Sequence, residues 1–422
     1  MNRLVSAGRN LSGFALIVGA TGIAGIAAYV ITWLVPNLIG DVDYKIFAVF
    51  WAALFLVVTA LSGIQQEVTR ATRPVVPGGA AGQPGEPRPA RAARFAALAA
   101  LVVLLATLGT APLWQAAVFP ELGWALVVPL SFGVASFVFV ATVCGTLYGL
   151  ESHRPLALLI VVDPMLRLAT VGAVSLFSGD LVALAWAATI PFLGTLVLLW
   201  PLVSPAVRAP SQLDVGYRAL IWNVTRTLGA SASTGALIAG LPLLISVTGA
   251  EESAALLSTL FLTITLTRAP LVVTLMSIQG YLIVHFREHL SSVGADLRKY
   301  LLLVAATAAV LSVAAWLLGP PVFGFLFPSL SIVLDGWFFA VLVGSSALLG
   351  SLCITGPAVL ARGSHSVYSI GWIIAAVTTI IALAAPLGLL ERTTLALVAG
   401  PIAGLLVHGV RLVQLRGRVT AA

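Results

Sequence analysis

Charge is scarce in this chain. Asp, Glu, Lys and Arg make up 9% of its 422 residues, against about 25% in a soluble protein, so a large solvated domain is excluded. Cysteine is scarcer still: Cys144 and Cys353 are the only two, leaving no disulfide framework and no thiolate spacing for a metal. The five histidines are scattered. His285 and His289 stand four apart beside an expected interface and read as solvated side chains. With no metal-ligand spacing and no cofactor fingerprint, neither a metal nor a cofactor is expected. The loops expected outside the membrane are all short, which leaves no room for an extracytoplasmic catalytic domain.

What is present is apolar sequence. Hydrophobic residues reach 60% and the mean hydropathy is +1.08. Stretches of about 20 apolar residues, enough to cross a hydrocarbon core of roughly 30 Å, recur from end to end. They predict twelve spans near 12–35, 46–64, 94–116, 122–149, 156–177, 180–203, 219–247, 253–285, 300–318, 336–360, 367–389 and 393–413. The first is too long for a signal-peptide core and lacks a cleavage site. With the N-terminus placed inside, 17 of the 22 Lys and Arg fall in inner segments, 2 in outer loops and 3 within spans. That asymmetry obeys the positive-inside rule and puts both termini in the cytoplasm. The pI of about 9.9 is therefore a topology signal, and nucleic acid is not an expected partner. The stretch from Thr72 to Arg94, all but its last residue in an inner loop over 65–93, is rich in Pro, Gly and Ala and reads as a flexible linker.

The two halves resemble each other. Ile23-Ala24-Gly25 returns as Ile238-Ala239-Gly240, LSGIQQ (61–66) as LMSIQG (275–280), and Ser152-His153 as Ser364-His365. The offsets agree to within a few residues. Six spans per half give a parallel repeat, which in transporters points to a substrate site at the repeat interface. The expected organisation is a six-helix lobe over 1–203, a cytoplasmic linker over 204–218 and a second six-helix lobe over 219–422. The fold class is all-α and polytopic. Both lobes open on spans rich in small residues, GATGIAGIAA and LGASASTGALIAG, which suit either close helix packing or a bendable cavity wall. Pro242 marks a kink in span seven.

Ionisable groups inside spans carry the functional signal, because each costs at least about 2.5 kcal/mol to insert. Asp163 and Arg167 stand one turn apart, as a self-contained ion pair or as an ion-coupling site or gate. Arg226 either snorkels inward or meets a substrate phosphate together with Asn223 and Thr227. Arg268 lies mid-span with no acid within a turn. It either has a structural partner on another helix, Asp163 among the candidates, or binds an anion, since a guanidinium fork matches phosphate oxygens. Gln65 and Gln279, matched by the repeat, either bond between helices or hold sugar hydroxyls.

GDVDYKIFAVFWAALFL (40–56) and TRAPLVVTLMSIQG (267–280) resemble segments of the MOP flippase superfamily, the latter its polysaccharide-biosynthesis (Wzx-like) branch of actinobacterial type. The resemblance implies alternating access between two lobes. It also implies a cargo such as a polyprenyl-pyrophosphate-linked sugar, moved from the inner to the outer leaflet of the plasma membrane without chemistry. Arg226 and Arg268 are then the cavity cations. Membrane lipids and envelope glycosyltransferases or a polymerase are the implied partners. Two rivals stay open: an exporter of small molecules, MATE-like or otherwise, and a membrane glycosyltransferase using Asp41 and Asp43 in the first outer loop.

Overall fold

The computed structural model describes residues 2–74, 91–208, 211–213, 215–290 and 292–420. Within the linker expected over 65–93, residues 75–90 lie outside the described residues. Its flanks are helical, since the first helix runs on to Ala71 and the second starts at Ala92.

The chain is helical almost throughout and forms two compact units, Met1–Gly235 and Ala236–Ala422. The first holds α1 (Asn2–Ala71), α2 (Ala92–Val118), α3 (Trp124–Gly149), α4 (His153–Phe177), α5 (Leu181–Thr189), α6 (Pro191–Arg208) and most of α7 (Tyr217–Ile238). The second holds α8 (Leu241–Thr248), α9 (Ala254–Ser277), α10 (Gln279–Glu288), α11 (Val293–Leu326), α12 (Gly336–Ala361), α13 (His365–Leu383) and α14 (Leu389–Thr420). Among the described residues, nine helices are long and apolar enough to cross a membrane, or ten if the bent α7–α8 pair is one span. The chain is a multi-pass membrane protein.

Three helix breaks follow from local chemistry. α1 is two rods joined at Gly40 (φ 78°, ψ 177°), a backbone region that only glycine enters freely. Asp41 and Asp43 therefore sit within α1 at this joint, and the outer loop expected around them is absent. The span expected over 180–203 divides at Ile190, because Pro191 has no N–H to continue the ladder. The span expected over 219–247 bends by 68°, and α8 restarts with Pro242 in its first turn, as the sequence anticipates. The span over 253–285 is also interrupted, between α9 and α10 at Ile278.

One element departs from an all-helical reading. β1 (Thr72–Pro74) pairs antiparallel with β2 (Ser211–Leu213), with Thr72 opposite Leu213. This ribbon ties the exit of α1 to the exit of α6 within the first unit. Proline and polar residues defeat any strand pattern at these positions, so the pairing could not be read from sequence.

In the first unit α3 is the core helix. Val127, Val134, Val138 and Leu147 are fully buried, and α1, α2, α5 and α6 pack around it. Gly133, Gly145 and Gly149 make close approaches: a Cβ at Gly133 would press on Thr189 of α5, and one at Gly145 on the Gln65 carbonyl and Val68 of α1. By contrast, a Cβ at Gly19, Gly22 or Gly25 meets nothing, so the first small-residue stretch is not a close-packing seam. In the second unit α12 is the core helix, buried along its length from Phe338 to Val359.

The Ser-His match recurs as a structural match. Ser152 and Ser364 each precede the first residue of a helix, α4 and α13. The residue before each has positive φ, Glu151 at 53° and Gly363 at 73°. Both serine N–H groups donate to a carbonyl five residues back, Ser152 to Leu147 at 2.9 Å and Ser364 to Val359 at 3.2 Å.

Candidate functional site

The break at Pro191 leaves the Ala187 and Ala188 carbonyls without helical donors. α4 supplies them. Thr170 Oγ1 donates to Ala187 O at 2.7 Å and Arg167 Nε to Ala188 O at 2.9 Å. Arg167 Nη2 meanwhile holds both Asp163 oxygens, at 3.1 and 3.0 Å. The guanidinium lies over the Phe192 ring at 4.4 Å, with Phe55 at 5.4 Å. A buried cation is tolerable when paired and bonded on this scale. Asp163 is thus the partner of Arg167, and the pair clamps a broken helix.

Arg268 on α9 repeats half of this arrangement. The break between α7 and α8 frees the Leu237 carbonyl, and Arg268 Nη1 donates to it at 3.3 Å. Arg268 is 6% exposed, and its Nε is buried without a partner. Among the described residues no carboxylate lies within ion-pairing distance; the ion pairs there involve Glu67, Asp163 and Asp296. Of the structural partners open to Arg268, Asp163 is therefore removed. What remains is a permanent cation with one neutral acceptor, in a place where an isolated charge is costly.

The residues expected around Arg226 separate. Asn223 Nδ2 donates to Glu67 Oε1 at 2.8 Å, and Thr227 Oγ1 donates toward Gly63 O at 3.2 Å. Both therefore face α1, as residues four apart must. Arg226 is exposed and lies off that face. Sequence reading missed Glu67, which is 4% exposed and receives Arg70 Nε at 2.9 Å and Nη2 at 2.6 Å. The Glu-x-x-Arg spacing was the available signal. Gln65 is half-buried, while Gln279 opens α10 within bonding reach of the Cys353 thiol. The repeat-matched glutamines thus sit in different local settings. No group of three or more His, Cys, Asp or Glu able to hold a metal occurs among the described residues.

No family model matches the chain. Solved structures give the fold. An inward-facing multidrug resistance MATE family transporter of the MOP superfamily aligns at TM-score 0.65 and 13% identity, covering 94% of this chain and 96% of that one. Lipid II flippase MurJ, in an inward closed conformation, aligns at TM-score 0.68 and 14% identity, covering 94% and 87%. The fold is that of these membrane transporters. Sequence relatives are nearer. Uncharacterized protein Rv3630 of Mycobacterium tuberculosis is 31% identical over 416 residues, 97% of this chain and 94% of its own length. Uncharacterized protein Rv1510 of the same species is 32% identical over 396 residues, 93% and 90%. With such identity along nearly the whole length, this multi-pass membrane protein belongs to the family of the mycobacterial proteins Rv3630 and Rv1510, built on the MOP transporter fold.

Proposed function

We propose that this protein flips a polyprenyl-pyrophosphate-linked saccharide from the inner to the outer leaflet of the plasma membrane. It belongs, in this reading, to the Wzx-like branch. The observation that carries it is Arg268, a buried cation with no carboxylate partner and an unsatisfied Nε among the described residues. A pyrophosphate supplies the oxygens that such a guanidinium lacks. Arg226, exposed on α7 of the first unit, is proposed as a further substrate-binding cation. Asn223, Arg167 and Gln65 of the first unit and Gln279 of the second are each proposed as substrate-binding, with the Asp163–Arg167 clamp as gate. Transport of this kind needs no covalent step.

The architecture assigned to this cycle is two parallel six-helix lobes, 1–203 and 219–422, joined by 204–218, with both termini cytoplasmic. Twelve spans result if both rods of α1 cross, α7–α8 counts once, and α9 is added to the nine helices. The repeated Ser-His turn supports the parallel repeat. So does burial, since α2 and α11 are the least buried spans and α3 and α12 the most.

A MATE-like exporter of cationic compounds shares the fold. Such cargo wants a free buried carboxylate, but Asp163 is held by Arg167, and Glu67 by Arg70 and Asn223. The deciding experiment reconstitutes the chain in liposomes carrying a fluorescent undecaprenyl-pyrophosphate disaccharide. A membrane-impermeant quencher should reach the inner-leaflet lipid only when the protein is present. Loss of the signal in Arg268→Ala supports the reading. Absence of flipping alongside efflux of a cationic dye overturns it.

A further inference from the structure

α13 and α14 are in unusually close contact. A Cβ at Gly400 would collide with Thr379, one at Gly404 with the Gly371 carbonyl, and one at Gly371 with His408 Nε2. Glycine at these positions lets the backbones meet, and His408 fills one end of the seam. Its side chain is 0% exposed. Two neighbouring helices grip the ring: Nδ1 lies 3.0 Å from Thr355 Oγ1 on α12, Nε2 lies 3.4 Å from the Tyr368 carbonyl on α13, and the Tyr368 ring is stacked parallel to it.

Counting hydrogens sets this site apart from an ordinary buried histidine. The Tyr368 carbonyl only accepts, so Nε2 carries a hydrogen. The Thr355 hydroxyl has one hydrogen and two well-placed acceptors, His408 Nδ1 at 3.0 Å and the Ser351 carbonyl at 3.0 Å. With neutral imidazole, Thr355 donates to Nδ1. When a proton from water binds Nδ1, the new N–H donates to Thr355 Oγ1, and the hydroxyl hydrogen turns to Ser351 O. Every donor and acceptor is satisfied in both states, with no heavy atom moved. A backbone N–H facing Nδ1 would instead have locked the ring neutral.

Among the described residues of these three helices, no carboxylate near the ring offsets the charge of the protonated form. α12 and α13 contain no Asp or Glu, and in α14 only Glu391 is acidic, far from His408 in sequence. The titratable and charged groups on these helices near the ring are Cys353 of α12, Tyr368 of α13 and Arg411 of α14. Arg411 donates to Ser364 Oγ at 3.1 Å and adds like charge. A proton held here strains the packed state and favours one in which the ring reaches water. We propose that His408 is a proton-binding site of the second unit, and that its proton loosens the α12–α13–α14 seat. The inference holds whatever the cargo is and names the proton as the ligand that drives this unit between states.

Cys353, fully buried on α12 two residues before Thr355, reports on the seat. In a full-length chain carrying Cys144→Ala it is the sole thiol. Its labelling by a small methanethiosulfonate is compared with that of a chain also carrying His408→Gln, which keeps a donor and an acceptor but takes no proton. Below about pH 6.5, where an imidazole in water takes up its proton, the rate ratio of His to Gln chains should rise about tenfold per pH unit as pH falls, the slope for one linked proton. A ratio constant with pH overturns the proposal. Should His408→Gln not fold, imidazole nitrogen NMR on a chain with His153, His285, His289 and His365 changed to Gln decides. Titration of His408 between neutral and doubly protonated forms supports the site, and a ring fixed in one tautomer between about pH 8 and pH 5 sinks it.

Discussion

Replacing Arg268 by methionine separates a structural cation from a ligand-binding one. The side chain is 6% exposed and, among the described residues, makes one bond, to the Leu237 carbonyl at 3.3 Å. Losing that bond and leaving the carbonyl unpaired costs about 1–3 kcal/mol. Removing an unpaired buried ion returns several kcal/mol of desolvation. Methionine fills similar volume, so cavity cost is small. The balance predicts that Arg268→Met leaves stability unchanged or raises it by about 1–3 kcal/mol. Thermal unfolding in detergent measures this directly. In the same assay, undecaprenyl pyrophosphate at about 100 times its dissociation constant should stabilise the wild-type chain by about 2.7 kcal/mol, and the methionine variant hardly at all. A variant that unfolds several degrees earlier yet keeps the full ligand shift would refute the reasoning, because Arg268 would then be scaffold.

Asp163→Asn should destabilise the first unit by about 3–5 kcal/mol, since it strands the Arg167 charge; the double change with Arg167→Met should recover much of that loss, read by chemical or thermal unfolding. Gly371→Ala should cost about 1–3 kcal/mol, because its methyl group pushes His408 out of place, and the same unfolding assay checks it. Gly363→Ala should cost about 1 kcal/mol at its φ of 73°, whereas Glu151→Gly at the matching turn should be neutral or stabilising. Glu67→Gln should weaken the α1–α7 contact through Arg70 and Asn223, seen as faster proteolysis of the chain near Tyr217 with little change in the second unit.

The sequence by itself determined that the chain lives in a membrane, because lipid demands runs of about 20 apolar residues and these are visible one residue at a time. It also located the bend at Pro242, since a missing N–H is a local fact, and the Ser-His turn, whose geometry is set within six residues. The isolation of Arg268 from any acid within one turn was legible in the same way. Tertiary structure alone decided which cation is satisfied. Arg167 and Arg268 both stand on expected spans, and Asp163 lies one turn from Arg167 on α4 itself, yet only the packing of α4 on α5 brings the Ala188 carbonyl to Arg167, while Arg268 reaches a lone carbonyl. The burial of Glu67, the β1–β2 ribbon and the seat of His408 were likewise hidden, because each depends on partners far away in sequence. Hydrogen-bond satisfaction is a property of neighbours in space, and a linear pattern records only neighbours in the chain.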